Sequence, residues 1–208
     1  MKKAIFLKTC GVVLMAATMA ILIAMAACKQ NPTTPTTPTT TTTFEDTFGT
    51  YVGSFNGVNA YSNRVKDYIS NQDNFYNGVN TGMKWQCTEY VQRYYLQIYD
   101  INIKPDYLGP VTNFYYLGSA GGLLAYPNGG SVAPQVGDII CSGTGENRGH
   151  VAIVREVGPN YINVIQQNWN NSSLDNSETL SRNGNRVDPF NLSYPIIGWL
   201  RKPPVNLK

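Results

Sequence analysis

His150-Val-Ala-Ile-Val-Arg-Glu-Val157, Gly158-Pro-Asn160 and Tyr161-Ile-Asn-Val-Ile-Gln-Gln-Asn-Trp169 are consecutive, two β-branched runs around three turn residues. The pattern predicts strands over 150–157 and 161–169 joined as a hairpin. If Val157 pairs with Tyr161, His150 falls opposite Asn168 and Ala152 opposite Gln166, and directly opposite residues share a face. Side chains alternate along a strand, so His150, Gln166 and Asn168 lie together while Gln167 and Trp169 point the other way. A slip of two residues exchanges the partner but keeps a carboxamide beside the imidazole; a slip of one puts both amides on the wrong side. His150 is the only histidine of the chain.

Working upstream, Gly82-Met-Lys-Trp-Gln-Cys-Thr-Glu-Tyr-Val-Gln-Arg-Tyr-Tyr95 opens an amphipathic helix at Cys87. Cys87, Tyr90, Val91, Tyr94 and Ile98 have the i, i+3, i+4, i+7 spacing of one buried stripe. Glu89 suits the positive helix end and forms an i,i+4 pair with Arg93 in the favourable order. A thiol at a helix N-terminus feels the unpaired N–H groups, which favour the thiolate and are placed to hold an oxyanion. A cysteine there and a lone imidazole opening a strand are the parts of a cysteine-dependent hydrolase.

Lys84-Trp85-Gln86-Cys87, Gly149-His150-Val151-Ala152, Gln166-Gln167-Asn168 and Ile196-Ile197-Gly198-Trp199-Leu200 together resemble the CHAP family of cysteine, histidine-dependent amidohydrolases and peptidases. Phe48-Gly49-Thr50, Tyr61-Ser62 and Tyr126-Pro127-Asn128-Gly129 narrow the likeness to the amidase half of bifunctional glutathionylspermidine synthetase/amidase, over roughly 47–201. The resemblance implies an α+β, papain-like fold with N-terminal helices packed on an antiparallel β-sheet. It also implies Cys87 as nucleophile and His150 as general base and then acid. In the amidase relatives a carboxylate stands at the position of Gln166. A neutral amide can accept from the ring N–H but cannot balance an imidazolium, and Cys-His-Asn arrangements do work. Gln166, Asn168 or both are thus candidates for the third member. Gln86 either assists an oxyanion hole or begins the helix; Trp85 and Trp169 either wall a substrate groove or pack in the interior.

Lys2, Lys3 and Lys8 precede an apolar run from Gly11 to Ala27 that ends in Met25-Ala26-Ala27-Cys28. This reads as a lipoprotein signal peptide over 1–27, with Cys28 as the lipidated residue and an uncleaved anchor as the alternative. Residues 28–43 are a Thr/Pro-rich linker. Mostly extended, it reaches about 50 Å from the anchor. Residues 44–208 suffice for one CHAP-like domain and leave no room for an ATP-using synthetase half. The interval Asn170 to Pro195, rich in Asn and Ser, reads as a cover over the cleft or an insertion. The expected location is the cell envelope, lipid-anchored and extracytoplasmic; Lys29 in place of a retention aspartate points to the outer membrane where there is one.

Of 16 basic and 13 acidic residues, the signal removes three lysines, so the mature chain is formally neutral and gives no reason to expect nucleic-acid binding. Only Cys87 and Cys141 remain in the fold, either as a disulfide or as a free nucleophile beside a small buried residue. One histidine and two distant thiols do not make a metal site, and no cofactor is expected. A monomer is the default. Three readings follow: a wall hydrolase cutting amides of peptidoglycan stem peptides, an amidase for a small γ-glutamyl or polyamine amide, and a wall-binding module with little turnover.

Overall fold

Two Asn-Gly pairs shape the first half of the fold. β1 (Tyr51–Phe55) and β2 (Val58–Tyr61) turn at Asn56-Gly57, and β3 (Asp73–Tyr76) and β4 (Val79–Met83) turn at Asn77-Gly78. Both residues of each pair have positive φ, 50° and 80° in the first and 48° and 80° in the second, as a two-residue type I′ turn demands. The computed structural model describes residues 47–65, 67–103, 115, 118, 122–144, 149–169 and 176–204. The expected signal peptide, the expected linker and Cys28 lie outside the described residues.

These hairpins correct the expectation of N-terminal helices. Val58 and Ala60 are buried while Asn59 is exposed, a period of two that a helix cannot sustain. The one helix described along its length is α1 (Cys87–Tyr99). It ends at Asp100, whose left-handed conformation (φ 55°) lets the Asp100 N–H reach the Leu96 carbonyl and the Ile101 N–H reach the Tyr95 carbonyl, a C-terminal stop of the αL type.

The remaining strands are β5 (Leu124–Pro127), β6 (Ile139–Gly143), β7 (Gly149–Val157), β8 (Tyr161–Ile165), β9 (Ser177–Asn183), β10 (Arg186–Val187) and β11 (Ile196–Arg201). They form one seven-stranded sheet in the order β10-β9-β8-β7-β6-β11-β5, antiparallel throughout. The class is therefore α+β, dominated by antiparallel sheet. β7 is buried on both faces. Val151 and Ile153 join Cys141, Ile165 and Leu200 against Cys87, Tyr90 and Val91 of α1. Ala152 and Val154 join Ile140, Val164 and Trp199 on the opposite side. A strand enclosed in this way reads as a continuous apolar run, which is what 151–154 is.

The predicted hairpin register holds at Ile153↔Ile165 and Val154↔Val164. At the tip Val157 pairs with Ile162, not Tyr161, because an irregularity between Val154 and Glu156 takes up one residue. The second strand also stops at Ile165, four residues short of Trp169. Part of the interval 170–195 supplies β9, which extends the sheet alongside β8 from Tyr161↔Ser181 to Ile165↔Ser177.

The expected stripe of α1 is buried at Cys87, Tyr90, Val91 and Tyr94, and Ile98 is half-buried. The stripe understates the burial, since Glu89, Gln92 and Arg93 are buried as well. Arg93 binds Glu89 through Nε (2.7 Å) and a terminal nitrogen (3.2 Å), and Asn74, Thr81 and Gln167 also donate to the Glu89 carboxylate at 2.9, 3.0 and 3.0 Å. That carboxylate ties the β3–β4 hairpin and the segment after β8 to the helix. A buried ion pair is tolerated only when its remaining hydrogen-bonding capacity is filled in this way.

Candidate active site

Cys87 occupies the first position of α1, where backbone N–H groups lack helical partners. The residue is 8% exposed and packs against β7. The N–H groups of Val151, Thr88 and Cys87 itself favour the thiolate, but burial outweighs them and pushes the thiol up to about 11. The helix-terminus argument thus has the right sign and the wrong winner. Burial favours the protonated thiol, which needs a base at the moment of attack.

His150 stands one residue before Val151 on β7, only 2% exposed. Its Nε2 lies 2.7 Å from Oε1 of Gln166, itself 1% exposed. The Ser142 hydroxyl donates to the His150 carbonyl at 3.2 Å, holding the backbone at that point. Trp169 packs against the imidazole at a tilt of 36° with ring centroids 4.6 Å apart, and Phe190 meets it edge-on at 5.4 Å. Phe190 comes from the interval read as a cover or insertion; aromatic packing from so far along the chain leaves no periodic signal in sequence.

Asn168 goes elsewhere. It donates to Gln86 Oε1 at 2.7 Å and accepts from the Asp67 N–H at 2.8 Å. The expected His150–Asn168 pairing is corrected because the ladder ends at Ile165 and Asn168 takes a left-handed conformation, φ 55°. Asn enters that region more easily than most side chains. The same kink brings Trp169 back to the imidazole, against the alternation that predicted the far side. Gln167 does point away as predicted, bonding Glu89, Arg93 and the Gln86 carbonyl.

Gln86 is the residue before the first helical turn and does not cap it with its side chain. Its carboxamide is engaged at both ends, accepting from Asn168 and donating to the Tyr68 carbonyl at 2.7 Å. Trp85 is half-buried against Tyr61 (centroids 4.3 Å) and Phe48 (6.4 Å), with its backbone N–H on Asn63. The structure therefore groups His150, Gln166 and Trp169 in contact, with Cys87 packed against the next peptide of β7. Trp85, Gln86 and Asn168 form the scaffold on the other side of Cys87. Cys141 pairs with Val151 across the β6–β7 ladder, is fully buried, and both cysteines are free.

Residues 78–168 match the CHAP domain. The matched segment begins in the β3–β4 turn and ends at Asn168, so it holds Cys87, His150 and Gln166 together. The resemblance read from Trp85-Gln86-Cys87 and Gly149-His150-Val151-Ala152 is thereby shown independently. The chain is also 26% identical, over 176 residues and 75% of its length, to trypanothione synthetase of Crithidia fasciculata. It spans only 27% of that relative. The CHAP match supports a hydrolase of the amidase or peptidase kind, and its segment coincides with the residues that the geometry groups.

Proposed function

We propose that this protein is a cysteine amidohydrolase or peptidase, exported and tethered to the membrane through Cys28, that cleaves amide bonds in peptidoglycan stem peptides. The observation that carries the reading is the placement of Cys87 at a helix N-terminus, against the strand whose first residues carry the sole imidazole, itself held by Gln166. A thiol at a helix start, packed against the strand that carries the histidine, is what the papain-like reading expects. The signal-like run, the Thr/Pro linker and the neutral mature chain favour a large substrate standing off the membrane.

The neutral thiol dictates the order of steps. With Nε2 turned to Gln166, Nδ1 of His150 takes the Cys87 proton as sulfur attacks the scissile carbonyl carbon. Backbone N–H groups at the start of α1 hold the resulting oxyanion. The imidazolium then gives its proton to the departing amine, the C–N bond breaks, and a thioester remains on Cys87. Water, losing a proton to His150, attacks the thioester carbonyl; the C–S bond breaks, the carboxylic acid leaves and the thiol is restored.

The match to trypanothione synthetase favours a second reading, an amidase acting on a small γ-glutamyl or polyamine amide. Incubating the protein and its Cys87→Ala variant with purified peptidoglycan, and separately with a glutathionyl-polyamine amide, decides between them by mass spectrometry. Cys87-dependent wall fragments establish the first reading and name the bond. Release of polyamine alone establishes the second, and silence on both leaves a wall-binding module.

A further inference from the structure

We propose that Glu178 is a positioning residue that sets the tautomer of His150 through the carboxamide of Gln166, an inference that rests on the cysteine-amidase reading. Glu178 pairs with Val164 across the β8–β9 ladder, two residues before Gln166. Residues two apart on a strand share a face, so Glu178 lies diagonally beside Gln166. The Gln166 Nε2 donates to Glu178 Oε2 at 3.3 Å while Oε1 faces His150 Nε2 at 2.7 Å.

A primary amide has a donating end and an accepting end of nearly the same shape, and a half-turn exchanges them. Gln166 and His150 are too deeply buried for water to correct a wrong choice. The carboxylate of Glu178 can only accept, so it selects the orientation with the Gln166 NH2 toward itself and the carbonyl toward the imidazole. A carbonyl oxygen in turn accepts only from an N–H, so Nε2 carries the ring proton and Nδ1 keeps its lone pair. The reversed amide would place a donor against Nε2, move the ring proton to Nδ1 and remove the base from the nitrogen that serves sulfur. The carboxylate also polarises the amide it holds, making Oε1 a better acceptor as the ring becomes charged.

Because His150 is the only histidine, nitrogen NMR of the 15N-histidine-labelled protein reads this ring alone, at a pH where it is neutral. The wild type is expected in the Nε2–H form. Glu178→Ala is expected to give a mixture of tautomers and a kcat lowered roughly tenfold at unchanged KM. Glu178→Gln, isosteric and still able to accept, keeps the Nε2–H form. Gln166→Glu added to Glu178→Ala restores both tautomer and rate, because a carboxylate at 166 accepts whichever way it turns. An Nδ1–H ring in the wild type, or one unchanged in both Glu178→Ala and Glu178→Gln with kcat intact, overturns the proposal. The ring readout needs no substrate, so a protein without amidase activity sinks the functional reading while the tautomer still decides this one.

Discussion

Asn168 reaches across the start of α1 to donate 2.7 Å to Gln86 Oε1, 82 positions earlier in the chain. The pair fixes the peptide before Cys87 and removes Asn168 from the imidazole, leaving Gln166 as the amide on His150. Gln166→Leu, which leaves the buried ring N–H unpaired, is expected to lower kcat by about a hundredfold. Asn168→Ala is expected to act mainly on stability, by about 1–2 kcal/mol. Kinetics and denaturation of the two variants check the assignment; equal loss of kcat in both would return Asn168 to the catalytic role.

The Cys87 thiol gives a second prediction, with its sign fixed by burial. Its folded value of about 11 lies above the ordinary 9.0. Iodoacetamide should therefore label the resting protein slowly at neutral pH, with the rate rising about tenfold per pH unit until it levels near 11. The buried neutral thiol contributes stability that is complete below pH 9 and is lost as pH climbs toward 11. Melting temperatures should fall across that window, and by less in Cys87→Ala. Fast labelling at neutral pH would show a thiolate at rest.

Glu89→Ala is expected to be among the most damaging single changes in the domain. It strips the partner from buried Arg93 and leaves Asn74, Thr81 and Gln167 without their acceptor. The cost of breaking such a pair is about 3–5 kcal/mol, readable as a lower denaturant midpoint. Activity should fall with the folded fraction; full stability with lost turnover would give Glu89 a chemical role.

Trp169→Ala uncovers the imidazole, since Trp169 and Phe190 pack on its ring and on each other at 4.8 Å. Water then competes for the His150–Gln166 hydrogen bond. A roughly tenfold lower kcat is expected, with Trp169→Phe closer to wild type. Kinetics of both variants, together with hydrogen exchange at the ring, test whether this aromatic cover matters.

What was legible in the chain was local. Cys87 at a helix start, its buried stripe, the Glu89–Arg93 pair and the inner register of the β7–β8 hairpin all follow from periodicity and turn residues. The two N-terminal hairpins were legible too, in Asn56-Gly57 and Asn77-Gly78, but the likeness to a helical N-terminus prevailed over the turn chemistry. The end of β8 was not legible, since Gln166-Gln167-Asn168-Trp169 has no breaker and stops only because Asn168 finds Gln86 and Asp67 at a distance.

The sequence by itself singled out Cys87 and His150, because a thiol at a helix start and a sole imidazole are chemically distinctive and each sits at the start of a patterned element. Only the tertiary structure decided which amide meets the imidazole, which aromatics cover it, and that burial pushes the thiol up. Those properties depend on partners far apart in the chain and on how much water the fold excludes, and neither quantity is written in any local spacing.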